Sequence, residues 1–380
     1  MDNITVSQWN DMITKTLIPN IVILSIYIVL GTCGNVLVLL VYSFQMKEPS
    51  DERYFIPILA AYDLIATIYC GVYIIQCLNQ VTFTHNILCK TTQFFVGLTT
   101  FVPVLLLVII AVQRYLKVCL PLKRELTLHV KRTALILIIV MSSLVALPIP
   151  FVYGSVQFHS LATGIKGTRC GKLKEGHQLE RAVYAIVLGI LAVATVTTLI
   201  VLYLLIGSTV FRQLKRNTCK SSRVEFRNSM SKTDEGGAST TGKSCDDQND
   251  ITADLDTKLP SSSKEQRLEN NPQTTLSQLV GSKKRQKDNR RITHKLSIMF
   301  FVITLVFIFS FLPIVMLLLV EGLNKDFWEK MSNTERPSFM FLYHMFIINN
   351  IVNPFIYAFM DIKFREEATV FLNRVFQCKF

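Results

Sequence analysis

Between Lys90 and Arg114 the chain carries no charged side chain. Read as a helix rising about 1.5 Å per residue, the stretch from Cys89 to Arg114 covers roughly 38 Å, more than the roughly 30 Å of a bilayer's hydrocarbon. A thiol then stands at one membrane surface and Gln113-Arg114-Tyr115 at the other. The pattern recurs along the chain, with apolar runs near 18–43, 55–78, 89–116, 133–154, 181–211, 292–320 and 338–360. In hydrocarbon every backbone amide must be paired within the protein, which leaves helices or a closed barrel. Strict apolar–polar alternation is absent, so the expected fold is an all-α membrane protein, a seven-transmembrane helix bundle.

Composition argues against two soluble domains, since half of the 380 residues are hydrophobic and only 18% are charged. A net charge of +13 would suit nucleic acid, but the cations are not interleaved with aromatics on an amphipathic domain. They stand between the apolar runs, as in cytoplasmic loops, so no nucleic-acid partner is expected. Seven spans put the termini on opposite sides. With the N-terminus outside, about 30 of the 40 basic residues fall inside, and the short second inner loop alone carries Lys117, Lys123, Arg124, Lys131 and Arg132.

The layout follows from these runs. Residues 1–17 lack a basic n-region and a cleavage motif and read as an extracellular tail, in which Asn3-Ile4-Thr5 fits the glycosylation acceptor pattern. Residues 18–211 hold spans one to five. Residues 212–291 form a long third cytoplasmic loop whose polar, Ser- and Thr-rich middle predicts disorder. Its basic flanks extend the neighbouring helices or meet anionic lipid headgroups. Residues 292–360 hold spans six and seven. Residues 361–380 alternate apolar and charged side chains, as a short amphipathic eighth helix on the inner membrane face would, and end near Cys378, a palmitoylation candidate or a solvated thiol.

Polar residues inside a span are costly and mark the bundle interior. The first run holds Gly34-Asn35-Val36-Leu37-Val38, the second Leu59-Ala60-Ala61-Tyr62-Asp63-Leu64, and the third ends in Gln113-Arg114-Tyr115 with Pro121 beyond. The sixth holds Phe307 and Phe309-Ser310-Phe311-Leu312-Pro313, and the seventh Asn353-Pro354-Phe355-Ile356-Tyr357. Each motif is weak alone. One per helix, in this order and at these depths, they resemble the rhodopsin-like (class A) G-protein-coupled receptor family.

The resemblance implies a receptor without catalysis or cofactor, in the plasma membrane. It implies a Cys89–Cys170 disulfide, and a polar core of Asn35, Asp63 and Asn349 beside Asn353. Members often hold sodium there, but Pro103 stands where the family offers a polar side chain, which puts sodium near Asp63 in doubt. Arg114, Tyr203 and Tyr357 match residues of the G-protein-coupling end, with Pro313, Phe307, Phe311 and Pro354 in the moving parts. Gln113 and Thr293 replace acids that restrain the arginine, which implies a weaker inactive state. A heterotrimeric G-protein is the implied partner. Receptor kinases and arrestin are further candidates, through phosphorylation of the third loop.

The ligand is narrowed by exclusion. Biogenic-amine receptors carry an acid where this chain has Val96, and retinal-binding members a lysine where it has Ile347. Two β-prone pieces before span five, Ser155–Phe158 and Gly167–Cys170, are spaced as a hairpin, which many peptide receptors of the family carry at the mouth. Tyr73, Gln76, Gln93, Val96, Arg169, Tyr184, Glu321, Tyr343 and His344 are the candidate ligand-binding residues. Charges of both signs suit a peptide or neuropeptide, and a lipid or metabolite is the alternative. A transporter is the competitor of another class, but no internal repeat supports it. The six His show no HExxH spacing, and no metal set is expected.

Overall fold

The computed structural model describes residues 4–46, 53–120, 126–159, 164–173, 178–230, 272–324 and 327–377. The first element, α1 (Val6–Thr16), lies in the segment expected to be a tail. Its start is local chemistry: Thr5 and Gln8 form a capping box, each side chain serving the other's backbone amide. Its anchorage is tertiary. Ile13 and Leu17 are buried with Leu24, Cys77 and Phe346. Asn10 donates from Nδ2 to the Leu78 carbonyl at 2.8 Å and accepts the Val81 amide on Oδ1 at 3.2 Å.

Among the described residues, seven helical segments are long and apolar enough to cross a membrane. They are α2 (Ile18–Phe44), α3 (Ile56–Leu78), α4 (Asn86–Cys119), a fourth span broken into α5 (Leu128–Ala146) and α6 (Ile149–Val152), and three more. Span five is Ala182–Gln213 within α7 (Gln178–Met230), and span six is Arg291–Gly322 within α8 (Pro272–Leu323). After a short α9 (Phe327–Lys330), span seven joins α10 (Arg336–His344), a 3₁₀ turn (Met345–Ile347) and α11 (Ile348–Met360). The eighth helix is α12 (Ile362–Gln377), which contacts α2 and α11. Pro148 and Pro150 explain the break in span four, because neither can donate a helical amide.

Before α7 the chain forms an antiparallel hairpin of β1 (Tyr153–His159) and β2 (Lys166–Lys172), with Ser155 opposite Cys170. A disulfide joins Cys89, near the start of α4, to Cys170, with Cα atoms 5.5 Å apart. The hairpin is also tied to the turn after α3: the Phe83 amide donates to the Thr168 carbonyl at 2.9 Å, and the Thr168 amide to the Val81 carbonyl at 2.8 Å. Helix α4 is the hub, touching α3, α5, α6 and both strands.

The chain divides into two compact units, residues 1–205 with 293–380, and residues 206–292. The second holds the remainder of α7 and the first part of α8, and 212–230 and 272–291 are helical within the stretch 212–291 expected to be largely disordered. The middle of that stretch, 231–271, lies outside the described residues, as do Asn3, Pro121, Cys245 and Cys378.

Candidate functional site

Two polar sites lie at opposite ends of α4. At the disulfide end a cavity of ≈ 80 Å³ opens among α3, α4, β2 and α10, and takes in Tyr73, Gln76, Gln93, Arg169, Glu321, Tyr343 and His344. Two residues proposed from sequence lie elsewhere. Val96 packs against the apolar cluster around Cys70 and Tyr73. Tyr184 donates its hydroxyl to the Val145 carbonyl at 2.8 Å, joining α7 to α5. Their sequence positions do not give the rotation of each helix, which packing partners set.

The charges of the cavity are paired across elements. Lys172 Nζ lies 2.9 Å from Glu321 Oε2, and an Arg169 Nη2 to Glu329 Oε1 contact spans 3.6 Å. The Arg169 guanidinium stacks on Phe158, 5.5 Å from the ring centroid. Burial lowers the Arg169 pKa from its ordinary value, and Glu329, then Glu321, oppose the shift. Arg336 also lines the cavity and donates to the Trp328 carbonyl at 3.1 Å. Sequence reasoning missed Arg336, Trp328 and Tyr153. The available signal was a lone arginine just before a proline at the outer end of the last span.

Below the cavity, rings stack toward the middle of the bundle. Tyr73 meets His344 at 4.8 Å and Phe346 at 6.4 Å, Phe346 meets Phe311 at 5.8 Å, and Phe311 meets Phe307 at 4.5 Å. Pro313 lies two residues beyond Phe311 inside α8. Deeper still, Asn353 donates from Nδ2 to Asp63 Oδ2 at 2.8 Å, and Asn35 bridges the Gly31 and Asn350 carbonyls at 3.0 and 2.9 Å. Pro354 packs next to Gly34, so α2 and α11 approach closely. The oxygens Asp63 Oδ1, Asn349 Oδ1 and Asn353 Oδ1 are buried without a donor among the described residues. One carboxylate and two amide oxygens are the hard ligands such a cation takes, with water to complete its shell, and Pro103 adds no side-chain oxygen to them.

At the far end of α4, Arg114 and Gln113 are both buried. The Arg114 guanidinium lies over the Phe300 ring of α8 at 5.2 Å from its centroid, a cation–π geometry. Tyr203 of α7 is buried beside Phe301 at 5.4 Å and accepts from Thr304 at 3.4 Å. Tyr357 of α11 is buried against Phe364 of α12 at 6.0 Å. Aromatic and neutral polar contacts, together with one buried cation, are among those that hold α8 near this end.

A bundle of seven apolar helices with a disulfide-tied hairpin at one end and a buried arginine at the other defines a multi-pass membrane protein of receptor type. The family model for the 7 transmembrane receptor (rhodopsin family) matches residues 34–357, and the chain belongs to that family. It is similar to a cholecystokinin receptor of Xenopus laevis, 26% identical over 199 residues that cover 51% of this chain and 44% of that receptor. A gastrin/cholecystokinin type B receptor of Sus scrofa is 28% identical over 131 residues, 34% of this chain and 29% of that receptor. The chain thus spans less than half the length of these curated relatives. The crystal structure of squid rhodopsin shares the fold, with TM-score 0.65 at 15% identity over 97% of this chain and 87% of that one.

Proposed function

We propose that the chain is a plasma-membrane receptor for an extracellular peptide that activates a heterotrimeric G-protein through movement of α8. The observation that carries this reading is the polarity of α4: a charged cavity under the hairpin at its Cys89 end, and buried Arg114 at the other. A disulfide belongs in an oxidising compartment, which supports a cavity end, and with it an N-terminus, that face outside. The excess of Lys and Arg on the opposite side agrees.

The relatives support the ligand class. They are named for cholecystokinin, and their kinship supports a peptide here. The mixed charges of the cavity rim suit such a ligand better than a uniformly apolar one. The ring column from Tyr73 to Phe307 gives the ligand a packed route to α8, and Pro313 removes a helical hydrogen bond at which that helix can bend. On this reading Arg114 leaves Phe300 when α8 swings out, and Tyr203 and Tyr357 gather toward it. Basic flanks on α7 and α8 meet lipid headgroups, and phosphorylation of Ser and Thr between them by receptor kinases recruits arrestin.

The test is a peptide-library screen on cells expressing the full chain, read by both calcium and cyclic AMP. A response to peptides supports the proposal, and a response only to amines or lipids overturns the peptide class.

A further inference from the structure

We propose that the cavity at the disulfide end selects a carboxylate of its ligand, seated between Arg169 and Arg336. The inference rests on reading this cavity as the ligand site and names the chemistry that site prefers.

Three observations lead there. The first is the balance of polar atoms left over. Buried at the cavity without a hydrogen-bond partner among the described residues are three N–H donors, Arg169 Nε, Arg336 Nε and Gln76 Nε2, and also His344 Nδ1, beside the Glu329 oxygen that faces Arg169 at 3.6 Å. A buried donor without an acceptor is costly, so the cavity favours a group that accepts.

The second is the balance of charge. Among the described residues that line the cavity or pair with its lining, Lys172 is matched by Glu321 and Arg169 faces Glu329. Arg336 donates to a neutral carbonyl, and it lies close enough to Arg169 for the two cations to repel. The surplus is one positive charge. A carboxylate matches it, whereas a doubly charged phosphate exceeds it.

The third is shape and medium. The cavity of ≈ 80 Å³ suits the acidic end of a side chain or of a chain terminus rather than a whole peptide. Its walls include Tyr73, Trp328 and Tyr343. Burial among these rings strengthens the attraction between a guanidinium and a carboxylate, which arginine's planar fork binds with two parallel hydrogen bonds.

The test has two arms. In the first, the purified full chain in lipid nanodiscs is melted with N-acetyl-glutamate or N-acetyl-glutamine at equal ionic strength. The acid is expected to raise the midpoint, the amide is not, and the rise is lost in Arg336→Gln and in Arg169→Gln. Two variants keep the inference falsifiable should one fail to fold. An equal effect of acid and amide in the wild type, or a rise that survives in either variant, overturns it.

In the second arm, cells are given peptides in matched pairs, each Asp or Glu exchanged for Asn or Gln and each chain-end carboxylate for its amide. Active peptides are expected to lose about tenfold or more in potency when their acid is removed. Full potency in the amide twins overturns the carboxylate and leaves the peptide reading standing. A response to small carboxylic acids alone overturns the peptide reading and supports the carboxylate.

Discussion

Arg53 and Asp361, 308 residues apart in the chain, form a bidentate ion pair, Nε to Oδ2 at 2.7 Å and Nη2 to Oδ1 at 2.8 Å, with both side chains buried. The same carboxylate caps α12, its Oδ1 accepting the amides of Lys363 and Phe364 at 3.1 and 3.3 Å. One side chain thus starts the eighth helix and fastens it to the residues before α3. Removing one member of a buried pair strands the other. Arg53→Ala is therefore expected to cost about 3 kcal/mol, and the double variant Arg53→Ala with Asp361→Ala less than the sum of its parts. Thermal unfolding of the four proteins in nanodiscs checks this, and strictly additive losses would contradict it.

Helix α1 depends on Asn10, whose side chain satisfies both the Leu78 carbonyl and the Val81 amide. Asn10→Leu leaves those two backbone groups without that partner, at a cost of roughly 1–3 kcal/mol. Amide hydrogen exchange should rise in residues 6–16 and around Val81 and leave α11 unchanged. Unaltered protection in α1 would mean that Ile13 and Leu17 suffice to hold it.

A methyl group at Gly34 would stand 2.9 Å from Cγ of Pro354, a ring that cannot rotate away. Gly34→Ala should push α2 from α11 and destabilise the bundle by about 1–3 kcal/mol. Gly189→Ala serves as the control, because a methyl there meets nothing within 4 Å. It should be neutral or slightly stabilising, since alanine is the better helix former.

Gln113 is buried beside Arg114 in the sequence and carries no charge, so it cannot contribute the ion pair an acid would. Gln113→Asp is expected to restrain Arg114 more strongly and lower signalling measured in cells without ligand, at matched surface expression. An unchanged basal level would remove Gln113 from the account of the inactive state.

The spans were legible in the sequence because hydrocarbon permits so few backbone solutions, and an uncharged run of this length has one common answer. The hairpin was legible too: Ser155–Phe158 and Gly167–Cys170 pair in the structure with Phe158 opposite Gly167. Helix α1 was missed although Thr5 and Gln8 have the spacing of a capping box, because Ile13, and Leu17 just past its end, have meaning only against the spans they pack on. The cavity was partly legible. Tyr73, Gln93 and His344 were found by depth, whereas Arg336 needed the fold of α9 and α10 to bring it to Arg169. The Arg53–Asp361 pair joins residues whose separation leaves no local signal.

The central claim is that a peptide bound at the hairpin end is read out at the Arg114 end. The most direct measurement is the peptide screen run in parallel on the wild type and Arg114→Ala, at equal surface expression, with calcium and cyclic AMP recorded together. The account predicts a peptide response in the wild type that Arg114→Ala abolishes. A response confined to amines or lipids, or a peptide response undiminished in Arg114→Ala, would contradict it.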